Sequence, residues 1–554
     1  MSKKVLLETR DLSVAFGDKL ALDRVNIALA ENEVVGIVGE TGAGKSLLAR
    51  SLIGLLPPGA ERTNGDVWSD GRALSTMSPA ELRNLRGGVV SLIGTNAKAL
   101  LDPVQPVGEQ VATVLRSHRR LSHRAARQAA VKLFRQVGIT DPESRATAYP
   151  HQLSGGMAQR IVIAMALVAG PKVVLADDAT LGLDATIQVQ VLDLLVERCR
   201  TEGLGTLIIT HDLGIVSQYC DRVAIMKGGQ IVEQNDVSAF LAGPQTSYGQ
   251  ELLKAAKVRP TLIKGDGDGD GETLPKVGDG TRTGPKSSPL LQIRDMVKHF
   301  RGRDGGVVKA VDEISIEIGR GETLALVGES GSGKTTAGQC IVRLLDINCG
   351  EIVFDGKEIG NLPASEFRAM RKRIQMVFQE PYVALNPRWR VEDLISEPLS
   401  LDETVRSAAD RRSRVLEMLE AVRLPKTLAK VFPHELTAGE QKRVGMARAL
   451  ATRPDFVVFD EPTTALDIRV RAQIIDLIRT LQREMGLSAL FITHDLNSVR
   501  SLAHRVAVMR YGKIVETGDT STIFERPGHD YTRMLLDAEL PIERVAEKDL
   551  MGAI

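Results

Sequence analysis

A phosphate-gripping loop that occurs twice constrains this chain more than any other feature. Gly39-Glu40-Thr41-Gly42-Ala43-Gly44-Lys45-Ser46 and Gly328-Glu329-Ser330-Gly331-Ser332-Gly333-Lys334-Thr335 both fit G-x-x-x-x-G-K-[ST], and their first glycines stand 289 residues apart. Each loop follows a short apolar run, Val34-Val35-Gly36-Ile37-Val38 or Leu324-Ala325-Leu326-Val327, of the kind that makes a buried parallel strand. Each then opens a helical pattern. In that setting the glycines let backbone N–H groups approach phosphates, Lys45 and Lys334 reach the β/γ oxygens, and the Ser46 and Thr335 hydroxyls suit Mg²⁺. The chain reads as a duplicated nucleoside-triphosphate machine.

The duplication extends well beyond the loops. His151-Gln152-Leu153-Ser154-Gly155-Gly156-Met157 matches His434-Glu435-Leu436-Thr437-Ala438-Gly439-Glu440 at an offset of 283, and Asp177/Asp460 and His211/His494 keep the same offset. Constant spacing over so many landmarks means two copies of one domain. The expected boundaries are residues 1–257 for the first copy, 258–288 for a linker and 289–554 for the second. The linker carries Gly265-Asp266-Gly267-Asp268-Gly269-Asp270-Gly271-Glu272, which begins like a calcium loop. Its twelfth position from Asp266 is Val277, where a bidentate Glu belongs, so a solvated flexible connector is the better reading.

Within each copy, apolar strands (Val173 to Ala176 and Thr206 to Thr210; Phe456 to Phe459 and Ala489 to Thr493) alternate with helical patterns. A helix-rich middle spans Leu121 to Val137 and Val405 to Val422. That alternation predicts an α/β core on a largely parallel sheet. The net charge of +1 and an aromatic content of 4% argue against a nucleic-acid platform. The basic run Arg116-Ser117-His118-Arg119-Arg120, with Arg124 and Arg127, reads as a solvated helix face. Cys199, Cys220, Cys340 and Cys349 fall in no C-x-x-C spacing, as expected of reduced thiols in a cytosolic protein. The first residues lack the apolar core of a signal peptide, and no stretch approaches 18 uncharged apolar residues, so membrane passage is expected to belong to other chains.

Taken together, these motifs resemble those of the ATP-binding cassette ATPases over nearly the whole chain. The likeness is greatest to the ATPase subunits of oligopeptide, dipeptide and nickel importers. Val377-Phe378-Gln379-Glu380-Pro381 with Ala384-Leu385-Asn386-Pro387, His529-Asp530-Tyr531-Thr532-Arg533-Met534-Leu535-Leu536 and Leu55-Leu56-Pro57-Pro58-Gly59 carry it. The cysteine-bearing segment that often follows each copy in that branch is absent. The resemblance implies two tandem nucleotide-binding domains, each a P-loop core with a helical subdomain, in a pseudo-symmetric head-to-tail pair. ATP would then lie between one copy's phosphate loop and the other copy's Leu-Ser-Gly-Gly segment, here Ser154, Gly155 and Gly156 or Thr437, Ala438 and Gly439.

For the second copy the resemblance implies that Lys334, Thr335 and Thr336 bind the nucleotide and that Gln379 and Asp460 complete the metal shell. Glu461 would polarise the attacking water and His494 would contact the γ-phosphate. Phe16 and Phe300 stand where the family stacks an aromatic ring on adenine. In the first copy the metal residues are Ser46 and Asp177, with Asp178 and His211 in the catalytic positions. The Gln position there is Gly94, within Ser91-Leu92-Ile93-Gly94-Thr95-Asn96. Asp178 is one methylene shorter than the Glu it replaces, and Thr437-Ala438-Gly439-Glu440 adds a methyl and a carboxylate that is expected to face phosphate. Head-to-tail pairing would collect these defects in one degenerate site and leave the other intact.

The implied protein is an ATP-hydrolysing subunit at the cytoplasmic face of the inner membrane, using ATP and Mg²⁺. Its partners would be two permease subunits and a separate solute-binding protein. Pro381-Tyr382-Val383-Ala384-Leu385-Asn386-Pro387 resembles the segment that receives a permease's coupling helix. The competing reading is a soluble duplicated cassette acting on ribosomes or nucleic acid without transport. The short Gly/Asp linker, the lack of metal-binding cysteines and the balanced charge all weigh against it.

Overall fold

The computed structural model describes residues 3–95, 97–180, 183, 185–257, 288–301, 306–380, 384–402, 405, 407–464 and 466–542. The Gly/Asp run at 265–272, the segment Pro381-Tyr382-Val383 and Asn96 lie outside the described residues. The chain divides into two compact units, one built on each copy of the repeat.

The first unit is centred on a six-stranded sheet in the order Gln230–Asp236, Arg222–Lys227, Glu33–Gly39, Gly205–Ile209, Val173–Asp177, Val90–Ile93. Its pairs are parallel except at the Gln230–Asp236 edge. Val173–Asp177 and Gly205–Ile209 are buried along their whole length, as the unbroken apolar runs of a sheet covered on both faces require. The phosphate-loop strand Glu33–Gly39 sits inside this sheet. Its carboxyl end therefore opens into the crevice where open α/β sheets take their ligands.

A second, four-stranded antiparallel sheet joins Lys19–Ala30, Val5–Phe16, Ala60–Ser69 and Arg72–Ala73. The expectation of a largely parallel core did not include it. The period-two burial of Leu22, Val25, Ile27 and Leu29 along Lys19–Ala30 is its sequence trace. Repeated register shifts between Val5–Phe16 and Lys19–Ala30 break that trace into short pieces.

Helices Val107–His118, His123–Gln136 and Gly155–Leu167 make the helical part of the first unit. His123–Gln136 is capped by Ser122, whose Oγ accepts from the Ala125 amide at 3.3 Å, and it buries Ala126, Ala130 and Phe134 on one stripe. Its basic residues stay on the outer face, where Arg127 pairs with Glu109 at 2.7 Å.

The second unit repeats the plan. Its mostly parallel sheet runs Lys513–Asp519, Arg505–Arg510, Thr323–Val327, Ser488–Thr493, Phe456–Asp460, Ile374–Val377. The antiparallel sheet joins Val307–Ile318, Leu291–Arg301, Cys349–Phe354 and Lys357–Glu358. Helices Val391–Ser396, Ala408–Ala421 and Ala438–Leu450 stand in place of the first unit's three.

Candidate functional site

Both phosphate loops start a helix at their lysine: Lys45–Leu52 and Lys334–Ile341. The residue before each lysine, Gly44 or Gly333, is left-handed at φ 100° or 107°. A Cβ on Gly333 would lie 1.9 Å from the Ala310 carbonyl oxygen, so only glycine fits there. The two lysines are 5% exposed, and each ammonium is held by loop carbonyls. Lys45 Nζ donates to Gly39 O at 2.7 Å and Glu40 O at 2.9 Å, and Lys334 Nζ donates to Gly328 O and Glu329 O, both at 2.8 Å. Burial lowers the pKa of Lys45, against the opposing pull of Asp178.

The hydroxyl after each lysine meets the carboxylate at the end of the neighbouring apolar strand. Ser46 Oγ donates to Asp177 Oδ1 and Thr335 Oγ1 to Asp460 Oδ1, each at 3.0 Å. Burial raises both carboxylates, Asp460 to about 6, and outweighs the opposing charges of Lys45 and Arg50 on Asp177 and of Lys334 and Lys442 on Asp460. A hydroxyl beside a buried carboxylate is a set of hard oxygen donors, the set that Mg²⁺ takes.

In the second unit, Gln379, Glu461 and His494 converge. Glu461 is left-handed at φ 44°, with its amide fixed on the Ile492 carbonyl at 2.9 Å. Its Oε2 accepts from Gln379 Nε2 at 2.7 Å and from Thr464 Oγ1 at 2.9 Å, while Oε1 lies 3.2 Å from His494 Nδ1. Burial would raise this carboxyl, but the bonds from His494 and Thr464 outweigh it and the net shift is downward. The sequence did not mark two members of this cluster. Thr464 is one. The other is Lys442, buried in the helix Ala438–Leu450, whose ammonium donates to the Gln379 carbonyl and reaches the Glu461 carbonyl at 3.4 Å. Burial lowers the Lys442 pKa to about 8.

The first unit keeps the backbone of this arrangement and, among the described residues, shows fewer of its side-chain contacts. Asp178 has φ 47° and its amide bonds the Ile209 carbonyl at 3.0 Å. Its carboxylate meets His211, at Nε2 and 3.0 Å. Gly94 brings no side chain, and a Cβ there would stand 3.2 Å from Leu100 Cδ1. The residue matching Lys442 is Gln159, whose buried Nε2 has no hydrogen-bond partner among the described residues.

Ser154 caps the helix Gly155–Leu167, accepting from the Met157 amide at 3.2 Å, and a Cβ on Gly155 would meet open space. Thr437 caps Ala438–Leu450 in a different way. The Glu440 carboxylate folds back to accept from both the Thr437 amide and its hydroxyl at 2.8 Å. Glu440 was expected to turn its charge toward phosphate; the capping box instead ties that carboxylate to its own helix end. Thr336 sits in the first turn of Lys334–Ile341. Phe16 and Phe300 lie at the ends of inner strands of the antiparallel sheets and are 40% and 39% exposed, with Lys298 Nζ 5.3 Å from the Phe300 ring centroid.

The family model described as ABC transporter matches residues 22–181 and again 311–464. The chain is 41% identical over 551 residues to the "Peptidoglycan transport ATP-binding protein YejF" of Agrobacterium fabrum, covering 98% of each chain. It is 39% identical to the "Glutathione import ATP-binding protein GsiA" of Salmonella choleraesuis, over 97% of this chain and 90% of that one. The protein of the same name from Pectobacterium atrosepticum is 38% identical, with the same coverage. The chain thus belongs to the ABC transporter family and carries two of its ATP-binding ATPase cassettes in tandem.

Proposed function

We propose that this chain energises an importer of peptides or similar small solutes, and that the second cassette's phosphate loop and acidic cluster carry most of the ATP hydrolysis. The observation that carries the asymmetry is the closed cluster of Gln379, Thr464 and His494 around Glu461, set against Asp178, whose carboxylate among the described residues pairs with His211, and against Gly94 in the Gln379 position. The import role draws support from the relatives' printed names, one for peptidoglycan transport and one for glutathione import.

In this reading Lys334 neutralises phosphate charge, Glu461 orients the attacking water and His494 steadies the γ-phosphate. Phosphoryl transfer needs positioning and charge neutralisation more than covalent chemistry. Thr335, Asp460 and the side-chain amide oxygen of Gln379, whose amide nitrogen is the atom that bonds Glu461, would hold Mg²⁺ in the second cassette. Ser46 and Asp177 would hold it in the first. Bound there, the ion adds positive charge against the phosphates. By the head-to-tail pairing that the family resemblance implies, Ser154, Gly155 and Gly156 complete the site of Lys334. Thr437, Ala438 and Gly439 complete that of Lys45, and Phe16 and Phe300 stack adenine.

Among the described residues no helix is long and apolar enough to cross a membrane. The proposal assigns the passage to two permease subunits fed by a separate solute-binding protein, with this chain held at the cytoplasmic face through the permeases. The test is affinity purification from detergent-solubilised membranes. Recovery of two hydrophobic permeases is the expected result; recovery of ribosomes or DNA without a permease refutes it.

A further inference from the structure

Each cassette holds a buried tyrosine behind its phosphate loop to which the proposed chemistry gives no role, although Tyr531 lies in one of the segments that carry the family resemblance. Tyr248, on the helix Ser247–Lys257, is 4% exposed, and its hydroxyl oxygen accepts from the Glu40 amide at 3.2 Å. Tyr531, on Asp530–Asp537, is 2% exposed and accepts from the Glu329 amide at 3.0 Å. The two lie 283 residues apart, the offset of the repeat.

The peptide unit they hold is the one the loop lysine uses. The Gly328–Glu329 peptide gives its N–H to Tyr531 and its carbonyl to Lys334 Nζ, 2.8 Å away. The Gly39–Glu40 peptide does the same between Tyr248 and Lys45, whose Nζ is 2.7 Å from Gly39 O. An ammonium donating to a carbonyl whose own N–H donates onward forms a polarised chain, in which each bond strengthens the next.

The surroundings aim the hydroxyl. Lys227 Nζ lies 4.5 Å from the Tyr248 ring centroid, and the Arg510 guanidinium lies at the same distance from that of Tyr531. Glu233 accepts from the Gln245 and Thr246 amides at 2.8 and 3.0 Å just ahead of Tyr248. Glu516 accepts from the Gly528 and His529 amides at 2.6 and 3.1 Å just ahead of Tyr531. A hydroxyl, a cation over the ring and a carboxylate brace therefore recur together in both copies. The segments they hold read Gln245-Thr246-Ser247-Tyr248 in one and Gly528-His529-Asp530-Tyr531 in the other.

We propose that Tyr531 and Tyr248 are positioning residues for ATP binding: each fixes the peptide plane on which the phosphate-loop lysine rests, so that the C-terminal helix of a cassette sets that cassette's affinity for nucleotide. The inference rests on reading Gly39–Ser46 and Gly328–Thr335 as the nucleotide loops.

The test uses the full chain. Tyr531→Phe keeps the ring, its buried volume and its contact with Arg510, and removes the hydroxyl that accepts the Glu329 N–H. Its KM for ATP should rise about tenfold, the worth of one hydrogen bond, with kcat within twofold of the parent. Tyr248→Phe should weaken one of two nucleotide-binding steps, read with a fluorescent ATP analogue, by a similar factor. A double-mutant cycle with Glu329→Pro separates this role from simple packing, because proline has no N–H to be accepted. In that background Tyr531→Phe should change KM no further. Lys334→Ala is the control for the loop assignment and should abolish one of the two tight nucleotide-binding steps. If Lys334→Ala binds ATP normally, the loop assignment fails. If it loses that step while both Tyr→Phe variants keep parental affinity, the tyrosine role is overturned. A fall in thermal stability without a change in KM or binding also overturns it. Should Tyr531→Phe fail to fold, Tyr248→Phe decides alone.

Discussion

Replacing Glu461 by Gln separates chemistry from architecture at the proposed hydrolytic centre. The carboxylate accepts two side-chain bonds on Oε2, from Gln379 at 2.7 Å and Thr464 at 2.9 Å, and faces His494 Nδ1 at 3.2 Å with Oε1. A glutamine that keeps its amide oxygen toward Gln379 and Thr464 turns its NH₂ toward His494, whose Nδ1 can accept. The geometry survives, and the change in folding stability should stay under about 1 kcal/mol. What disappears is the charge that polarises water. A positioned acid–base group contributes roughly 10²–10⁴-fold, or about 3–5 kcal/mol of barrier. Steady-state ATPase of the assembled, substrate-stimulated complex should therefore drop by at least two orders of magnitude while the melting temperature holds. Asp178→Asn should cost a few-fold at most, because Asp178 is a methylene shorter and Gly94 supplies no amide opposite it. Near-normal turnover in Glu461→Gln refutes the assignment, and an Asp178→Asn variant as dead as Glu461→Gln refutes the asymmetry.

Three further outcomes follow from the geometry. Lys442→Met leaves the Gln379 and Glu461 carbonyls without their shared ammonium, so ATPase should fall about tenfold with KM little changed, and Lys442→Gln should recover part of it; unchanged kcat in the Met variant refutes the linkage. His504 is half-buried, and its Nδ1 accepts from the Thr323 amide at 3.0 Å; burial lowers its pKa, so the unfolded chain takes up a proton before the folded one does. Stability present above the ordinary histidine pKa, near 6.5, should be lost as pH falls below it, and His504→Gln should flatten that acid limb of a melting-temperature profile. Both phosphate loops are whole, so equilibrium dialysis of Glu461→Gln should count two Mg-ATP per chain, and a count of one would show the first loop empty.

The parts of the site that motifs carry were legible because their residues are neighbours in the chain. Lys45 with Ser46, and Asp460 with Glu461, follow from spacing alone, as do the buried strands that present them. The parts that were not legible come from distant segments. Tyr531 reaches its loop amide from 202 residues away, on a segment whose likeness to the importer branch gave no hint of that contact. Lys442 reads locally as one more cation on a helix, and only the tertiary packing turns it inward to 5% exposure. Glu440 shows the reverse case. Its charge was legible, but its direction was decided by a local capping box that competes for the same carboxylate. The antiparallel sheets escaped notice because register shifts cut their alternation into pieces shorter than a readable strand.

The left-handed acid that follows the second strand from the sheet edge recurs in both units, at φ 47° for Asp178 and 44° for Glu461, with an equivalent amide anchor. A non-glycine residue held there carries roughly 1–3 kcal/mol of backbone strain. The first cassette retains that strained perch although the residue on it is shorter and its amide partner is gone. Wear has reached the reagents and spared the bench they stand on. Restoring a second working centre is then a matter of side chains: Asp178→Glu and Gly94→Gln, with Leu100 trimmed to admit the new Cβ that would otherwise stand 3.2 Å away. Under the proposed asymmetry the first cassette keeps its main chain in register with the second, and the ATPase of this triple variant tests whether side chains alone set the difference.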